Sequence, residues 1–285
     1  MFKEKPRHPG QCHSIDSGKF IDGKWTEDFV PVQAAEMNEL RLASFNVWFG
    51  ELAWTKRQDA MLSLLKEREL HFIAFEEVTP RFLERLLQVN WIRDEYTLSD
   101  IWGTTLGAYG VLMLSKVPMK NLFMVDLPTQ MGRRLLCADL AINGSTLRVG
   151  AVHLESRRSE GIMRGLQLET IFPILIESPQ SVLMGDFNFC HTNELEENRL
   201  PKTHQDVWPA LCDTPGWTMN SELNHMFSDY KGRQEQARYD RFLLAKKGPW
   251  QPRKIELLGT KPINASNPRI YPSDHFGLFI ELTSS

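Results

Sequence analysis

Short apolar runs dominate the sequence from Arg41 onward, and this feature constrains the fold most strongly. Each run is rich in β-branched and aromatic residues and is bounded by turn residues; together they cover 41–47, 71–76, 108–115, 134–142, 146–153, 180–185, 239–244, 254–258 and 276–282. Runs of this length and composition predict β-strands. The pair Asn143-Gly144 suits a type I′ turn, so the two runs beside it are predicted to form a hairpin.

Three helical segments interrupt these strands. Residues 54–69 and 164–176 repeat apolar side chains at helical spacing, although Pro173 is expected to kink or shorten the second segment. Between them, Thr79 is the predicted N-cap of a helix that begins at Pro80. Many strands with few helices predict one α/β domain in which two packed sheets are flanked by helices.

The first 38 residues differ from the rest, because they are rich in Pro, Gly, His and charge and show no sustained period. We interpret 1–38 as an N-terminal extension docked through Phe20, Trp25 and Phe29, and 39–285 as a single domain. The whole chain is 42% hydrophobic and 24% charged. This composition excludes a mostly disordered chain.

Sequence features also bear on location. The longest stretch without a charge, 101–115, has 15 residues, whereas a membrane span needs about 20 mostly apolar ones. The N-terminal residues contain no apolar segment of the kind that directs secretion. The four cysteines show no Cys-x-x-Cys spacing, so neither a zinc site nor a disulfide framework is indicated. We therefore expect an intracellular protein, nuclear or cytoplasmic, that is not secreted and has no membrane association.

Polar side chains cluster where the predicted strands stop. They are Asn46, Glu76, Glu77, His153, Asp186, Asn188, Asp240, Asp274 and His275. Taken singly, most of them are ordinary turn or capping residues. Strand ends converge at one rim of a sheet sandwich, however, so a single site accounts for all of them. Asp240 is the hardest to explain otherwise, because an unpaired carboxylate in an apolar strand costs several kcal/mol.

The chemistry of this polar set is that of a hard metal ion. The sequence has no Gly-x-Ser-x-Gly elbow and no Gly-rich loop that would cradle phosphates. Carboxylate and amide oxygens suit Mg²⁺, with Mn²⁺ as the alternative. A further carboxylate can deprotonate a water while His and Asn donors hold phosphate oxygens. The set therefore predicts metal-assisted hydrolysis of a phosphoester.

In residue type and order, the polar residues at the strand ends resemble the motifs of the endonuclease/exonuclease/phosphatase superfamily, and the resemblance covers 41–283. Within it the chain is most similar to the 5′-tyrosyl-DNA phosphodiesterases, through segments 133–140, 153–158, 206–211, 237–245, 257–259 and 271–279. The resemblance implies a four-layer fold with a β-sandwich core. It also implies Mg²⁺-dependent hydrolysis of the bond between a DNA 5′-phosphate and a tyrosine, as in repair of trapped topoisomerase adducts. DNA 5′ ends bearing a tyrosyl adduct are the implied partner, and we expect a monomer with no obligate protein partner.

The resemblance implies a metal and water side of the site. Glu77 would hold the metal, assisted by Asn46 and Asp274. Asp186 would orient or deprotonate the attacking water, and Asn188 would bind that water or a phosphate oxygen.

It implies a phosphate side as well. His275 would donate to the phosphate as charge develops, and Asp240 would fix its tautomer and orientation. His153 would line the phosphate side of the pocket.

The sequence also departs from the family pattern. Trp48 stands where many relatives carry an acidic residue, and Glu76 stands where the superfamily commonly has Gln. Because neighbouring residues of a strand face opposite ways, only one of Glu76 and Glu77 is expected to reach the metal, and the motif selects Glu77. After Asn188, 189–191 replace an Arg of the relatives that cleave tyrosyl-DNA. The alternative is therefore another metal-dependent phosphoesterase of the superfamily: an abasic-site endonuclease, an RNA nuclease, or a lipid or inositol head-group phosphatase.

Five further residues are candidates for substrate binding. Trp217 either stacks on a base or on the tyrosine, or is buried under a loop. Arg238 and Arg241 flank Asp240, and Arg241 alternates out of phase with it, so the two arginines belong either to a charged edge strand or to a phosphate contact. Arg134 and Ser156 complete the set.

Charge is distributed unevenly along the chain. The formal net charge is -3, but residues 131–164 hold six Arg against three acidic residues, and 226–254 hold eight Lys or Arg against three. The 191–225 stretch opposes them with six acidic residues against two basic ones. We therefore expect a local positive field around an acidic pocket, and a shallow salt dependence of nucleic-acid binding.

Overall fold

Two large mixed sheets packed face to face form the centre of the computed structural model, which describes residues 8–30, 34–264, 266 and 268–284. The strands are β1 (Cys12–Ser14), β2 (Gly18–Ile21), β3 (Lys24–Thr26), β4 (Glu39–Asn46), β5 (Phe72–Val78), β6 (Thr97–Leu98), β7 (Gly110–Ser115), β8 (Met119–Asp126), β9 (Arg134–Ile142), β10 (Ser145–His153), β11 (Ser181–Asp186), β12 (His204–Asp206), β13 (Met219–Asn220), β14 (Gln236–Ala237), β15 (Asp240–Ala245), β16 (Trp250–Leu258) and β17 (Gly277–Ser284). The helices are α1 (Trp54–Lys66), α2 (Pro80–Leu86), α3 (Asn90–Glu95), α4 (Gly161–Ile176), α5 (Glu194–Glu197), α6 (Val207–Leu211) and α7 (Met226–Lys231).

The strands form four layers together with the helices. One sheet has the order β1-β8-β9-β10-β11-β15-β12, and the other has the order β16-β17-β4-β5-β7-β6-β2-β3. Along β4, Leu40 and Leu42 face the core between the sheets, whereas Ala43 and Phe45 face the core under the helices. Helices α1 and α2 cover the eight-stranded sheet, and α4 covers the seven-stranded one. The predicted fold class, two packed sheets flanked by helices, is confirmed.

All nine predicted strands are present, with ends that differ by a few residues at most. The hairpin of β9 and β10 is closed by Asn143 at φ 50° and Gly144 at φ 70°. Both residues adopt positive φ, as a type I′ turn requires. The unpredicted long strand is β8, in which exposed Lys120 and Asn121 interrupt the apolar pattern and the register shifts.

The segment predicted as an extension adds strands to both sheets. β1 pairs with β8, and the β2–β3 hairpin forms the edge of the eight-stranded sheet. The Trp25 indole N–H donates to Leu87 O over 3.0 Å, and its ring centroid lies 5.6 Å from that of Phe20. Phe29 is half-buried. Residues 1–7 and 31–33 of this segment lie outside the described part of the chain.

The three predicted helices are confirmed. Thr79 caps α2, since its Oγ1 accepts from Phe82 N over 3.2 Å. Helix α4 continues past Pro173 to Ile176, so the predicted shortening is wrong; Pro173 lies on the exposed side of the helix. Of the helices described, none has the length and apolar character needed to cross a membrane.

Candidate active site

The ends of several strands converge at one rim of the sandwich. In the seven-stranded sheet, His153 at the end of β10 pairs with Asp186 at the end of β11, which in turn pairs with Asp240 at the start of β15. In the eight-stranded sheet, Asn46 at the end of β4 pairs with Glu76 in β5. Asn46 Nδ2 then donates to Asp186 Oδ2 of the other sheet over 3.0 Å. The strand registers and this bond bring together residues that are far apart in the chain.

A cavity of about 530 Å³ opens at this rim. The sequence-predicted residues that line it are Glu77, His153, Ser156, Asp186, Asn188, Asp274 and His275. Asn46 and Asp240 lie beneath this lining with no exposed surface. The structure thus collects most of the predicted site in one cavity and its floor.

The backbone is strained at three residues that line the cavity. Trp48, Glu77 and Asn188 adopt φ values of 50°, 60° and 55°, a left-handed region that non-glycine residues seldom occupy. At Glu77 the register between β5 and β7 shifts, because β5 bulges after Phe75. The bulge places Glu77 in the cavity wall and leaves Glu76 fully buried. The separation of the two carboxylates therefore depends on a bulge as well as on strand alternation.

Asp240 and His275 form a buried pair. His275 Nδ1 lies 2.9 Å from Asp240 Oδ2, and His275 Nε2 lies 3.9 Å from Asp186 Oδ2. Burial opposes a positive charge on His275, but Asp240 and Asp186 outweigh it and raise the pKa of His275 well above its ordinary value. These three residues lie close enough to hold a metal, yet Nδ1 is already engaged by Asp240. Nε2 is consequently the ring nitrogen that is available to a ligand in the cavity.

Asp186 lies at the centre of the polar network. Its Oδ1 accepts from Asn188 N over 2.8 Å, and its Oδ2 accepts from Asn46 Nδ2. Burial raises the pKa of Asp186 to about 6, although the His275 charge opposes this shift. A carboxylate with this pKa at a cavity wall is suited to orient and deprotonate water near neutral pH.

Glu77 and Asp274 fit a divalent cation. Burial raises the pKa of both carboxyl groups, that of Asp274 to about 6, and the negative charge of Glu77 contributes to the shift at Asp274. Both are hard oxygen donors in the wall of the same cavity, and a Mg²⁺ or Mn²⁺ ion would stabilise their ionised forms.

The Asn46 amide lies between two carboxylates of the cavity, those of Asp186 and Glu77. Its Oδ1 accepts from Trp48 N over 3.0 Å, while its Nδ2 reaches both Asp186 and Glu77. Reversing the amide would place its oxygen against two carboxylates, so the network fixes the orientation. Asn46 therefore bridges the two carboxylates, and its role as a metal ligand stays a prediction.

His153 and Ser156 line the cavity beside Asp186, with His153 Nε2 3.5 Å from Asp186 Oδ2. Both are supported by Arg133, which the sequence reasoning did not select. Arg133 Nη1 lies 3.1 Å from His153 Nδ1, and Arg133 Nη2 donates to Ser156 Oγ over 2.5 Å. Burial, then the charges of Arg133 and His275, lower the pKa of His153 well below its ordinary value. His153 is therefore neutral, and the charged donor behind it is Arg133.

Aromatic and basic residues complete the lining of the cavity, and most were missed from the sequence. They are Trp48, Phe49, Tyr109, Arg157, Arg158, Phe227, Tyr230, Lys231, Arg233 and Tyr239. Four of them lie in 227–233, on α7 and the loop after it, where six residues form too short a helix for an apolar period. The signal available was the interleaving of aromatic and basic residues within the basic 226–254 stretch.

Two predicted substrate contacts, Arg238 and Arg241, are buried instead. Both pair with Asp206, and Arg241 Nη1 also lies 2.8 Å from Glu197 Oε2. Strand alternation does place Arg241 and Asp240 on opposite faces of β15. However, β15 lies between β11 and β12 and is not an edge strand. On the Arg241 face, Glu197 of α5 supplies a carboxylate that pairs with the arginine. Both predicted alternatives for these arginines, a charged edge strand and a phosphate contact, are therefore wrong.

Arg134 and Trp217 also lie outside the main cavity. Arg134 lines a smaller cavity of about 100 Å³ that shares Tyr109 and His153 with the larger one, and its Nε lies 3.1 Å from Asp126 Oδ1. Trp217 is half-buried and is absent from the lining of the main cavity. Two neighbours of Trp217 do reach the site: Thr218 Oγ1 accepts from Asp240 N over 3.0 Å, and Met219 lines the main cavity.

Comparisons with known proteins agree with this geometry. A family model described as the Endonuclease/Exonuclease/phosphatase family matches residues 43–275. Tyrosyl-DNA phosphodiesterase 2 of Homo sapiens is 29% identical over 196 residues, which cover 64% of this chain and 52% of that protein. The Danio rerio protein of that name is 26% identical over 259 residues, covering 86% and 67%. The chain thus spans about half the length of the human relative that it matches.

Solved structures show the same fold. The D. rerio TDP2 complexed with single strand DNA product superposes with a TM-score of 0.74 at 23% identity, covering 86% of this chain and 99% of that one. The human Nocturnin catalytic domain with bound sulfate anion superposes with a TM-score of 0.66 at 16% identity, covering 90% and 97%. Together these structures share the four-layer architecture described above.

Proposed function

Because this chain belongs to the endonuclease/exonuclease/phosphatase family, we propose that it is a Mg²⁺-dependent phosphodiesterase that hydrolyses the bond between a DNA 5′-phosphate and a tyrosine. The observation that carries this proposal is the Asp240–His275 pair facing Asp186 in a cavity that also holds Glu77 and Asp274. The substrate is inferred from the curated relatives, which are all named tyrosyl-DNA phosphodiesterase 2. Such an enzyme acts on DNA ends left by trapped topoisomerases.

The metal side of the reaction belongs to two carboxylates. Glu77 and Asp274 would hold the cation, which when bound neutralises charge on a phosphate oxygen. Asp186 holds the attacking water through its carboxylate and takes its proton. Its pKa of about 6 keeps it ionised, and therefore basic, at neutral pH.

The phosphate side belongs to hydrogen-bond donors. His275 is held cationic by Asp240 and donates from Nε2 to a phosphate oxygen as negative charge develops. Neutral His153 and the Ser156 hydroxyl line the same cavity. Water attacks phosphorus, the bond to the tyrosyl oxygen breaks, and the phosphate stays on the DNA. The leaving phenol has a pKa of about 10, so a dedicated strong acid is not required.

The cavity mouth supports a polynucleotide substrate. Phe49 and Tyr230 expose 43% and 65% of their surfaces there, and Arg157 and Lys231 add positive charge. Aromatic faces and cations together are typical of surfaces that bind single-stranded nucleic acid. This arrangement favours a DNA end over a compact head group.

The test compares four substrates with the same protein in Mg²⁺: a 5′-tyrosine-linked oligonucleotide, an abasic duplex, a single-stranded RNA and a phosphoinositide. We expect the tyrosyl oligonucleotide to be hydrolysed fastest, with a 5′-phosphate on the product. Buried Phe189, in the segment that replaces the Arg of the tyrosyl-DNA relatives, makes the other phosphoesters a necessary comparison. Hydrolysis of only the lipid or only the RNA would contradict the proposal. Glu77→Gln serves as the inactive control.

A further inference from the structure

Arg57 in the first turns of α1 has no exposed surface, and every N–H of its guanidinium is used. Nε donates to Leu52 O over 2.7 Å, Nη1 to Val47 O over 3.3 Å and to Pro272 O over 3.0 Å, and Nη2 to Trp48 O over 3.2 Å and to Gly50 O over 2.5 Å. A guanidinium has five N–H groups in a fixed planar fork, so these five carbonyls saturate it. Burial lowers the pKa of Arg57 to about 10, and the side chain remains cationic at neutral pH.

Two of these carbonyls belong to peptide groups that also reach the cavity. The peptide between Trp48 and Phe49 accepts from Arg57 at its C=O and donates to Glu77 Oε2 at its N–H over 3.2 Å. The peptide before it accepts from Arg57 at the Val47 C=O and donates from Trp48 N to Asn46 Oδ1. Because C=O and N–H point in opposite directions in a trans peptide, each group is a rigid link between Arg57 and a cavity residue.

A third link reaches the other metal-side carboxylate. Pro272, whose C=O accepts from Arg57, precedes Asp274 by two residues on the segment that leads into β17. The Arg57 guanidinium also lies 4.5 Å from the centroid of the Trp48 ring, which meets Tyr230 of α7 edge-on at 6.3 Å. Arg57 thus joins the 47–52 loop to the segment that carries Asp274.

We propose that Arg57 is a positioning residue for the metal side of the cavity, holding Glu77 and Asn46 through two consecutive peptide groups and the Asp274 segment through Pro272. It touches neither the substrate nor the reacting atoms. The inference rests on the proposed function in one respect, that Glu77 and Asp274 hold a divalent cation. Loss of Arg57 is then expected to weaken metal binding and, as a consequence, to reduce turnover.

The test measures binding of Mn²⁺ to the full chain by electron paramagnetic resonance, without substrate, for wild type, Arg57→Lys and Arg57→Met. Lysine keeps the charge but has three donors at a single point, and methionine removes both charge and donors. Removing an outer partner of a metal ligand typically weakens metal affinity by about 10- to 100-fold. We expect a weakening of this order for both variants, together with a lower kcat and a largely unchanged KM for the oligonucleotide.

The matched control is Leu65→Ala on the same helix. Leu65 is buried in the core under the eight-stranded sheet, so its truncation lowers the melting temperature without touching the 47–52 loop. Its Mn²⁺ dissociation constant is expected to equal that of wild type. An Arg57→Met protein that melts earlier but binds Mn²⁺ like wild type would overturn the proposal.

Arg57→Lys decides the matter if Arg57→Met fails to fold, since wild-type Mn²⁺ affinity in a folded Arg57→Lys protein would also overturn it. A wild type that does not bind Mn²⁺ would overturn it at the premise. Mn²⁺ binding that depends on Arg57, in a protein that hydrolyses no tyrosyl-DNA, would support the positioning role and contradict only the proposed substrate.

Discussion

Asp240 Oδ2 lies 2.9 Å from His275 Nδ1, in a pair that joins the two sheets of the sandwich. Asp240 begins β15 of the seven-stranded sheet, whereas His275 precedes β17 of the eight-stranded sheet. Thr218 Oγ1 accepts from Asp240 N over 3.0 Å and supports the start of β15. The orientation of the imidazole toward Asp186 therefore depends on how the two sheets pack.

Asp240→Asn tests the electrostatic part of this pair. Asp240 and Asp186 raise the pKa of His275 well above its ordinary value, so the imidazole stays cationic through neutral pH. Without Asp240, burial prevails and His275 loses its proton at a lower pH. We expect kcat to fall about a hundredfold or more and the alkaline limb of the pH profile to move to lower pH. An imidazole NMR titration that shows an unchanged His275 pKa would contradict this account.

Asp186→Asn and His275→Ala test the two groups that face the phosphate. Each is expected to reduce kcat by at least about a hundredfold, because one removes the base and the other removes the donor to the developing charge. Asp139→Asn is the control, since Asp139 is a buried carboxylate paired with Arg148 in β10, away from the cavity. Turnover close to wild type in Asp186→Asn or His275→Ala would remove that residue from the mechanism.

Metal removal should leave a characteristic pH dependence of stability. Burial raises the pKa of Asp186 and Asp274 from an ordinary 3.8 to about 6. At pH values between these two pKa values, the folded state therefore binds more protons than the unfolded state. Without metal, these two groups lower the free energy of unfolding as pH rises from about 4 to about 6. Mg²⁺ is expected to reduce this loss because it favours the ionised carboxylates.

Urea denaturation at several pH values, with EDTA and with Mg²⁺, measures this effect. Asp274→Asn is expected to flatten the EDTA curve and to lower the response to Mg²⁺. A curve for the wild type that is identical with and without Mg²⁺ at pH 6.5 would show that the cation does not bind this cavity.

Variants of Lys231 and Arg241 distinguish a residue that binds DNA from one that stabilises the fold. Lys231→Ala is expected to raise KM for the oligonucleotide and to reduce the salt slope by about one, without changing the melting temperature. Arg241→Ala is expected to lower the free energy of unfolding by about 3–5 kcal/mol, because Asp206 and Glu197 lose a buried partner. Fluorescence anisotropy across a salt series, paired with thermal melts, distinguishes them; the reverse pattern would restore Arg241 as a DNA contact.

Local patterns predicted the architecture and the inward-facing polar residues. The apolar runs specify nearly every long strand, and the Asn143-Gly144 turn specifies one hairpin. The polar residues at the strand ends were predicted to form one site because a sheet sandwich brings such ends to one rim. Each of these features is encoded within a few consecutive residues.

The remaining features depend on contacts between distant segments. The burial of Arg241 requires Glu197 of α5, some 44 residues earlier in the chain. The position of Glu77 requires a bulge, which strand alternation does not predict. Tyr230 and Lys231 reach the cavity only because α7 folds over it between β13 and β14. None of these has a regular period, and only Tyr230 and Lys231 had a sequence signal, the interleaving of aromatic and basic residues.

Release of tyrosine from a 5′-tyrosine-linked oligonucleotide, followed with Mg²⁺ and after exhaustive EDTA, tests the central claim most directly. We expect wild type to release tyrosine and leave a 5′-phosphorylated oligonucleotide in Mg²⁺, to stop in EDTA and to recover when Mg²⁺ is restored. Glu77→Gln should remain inactive throughout, because it removes a carboxylate that holds the cation. Release of tyrosine that continues in EDTA, or its absence in Mg²⁺ alongside hydrolysis of another phosphoester, would contradict the account.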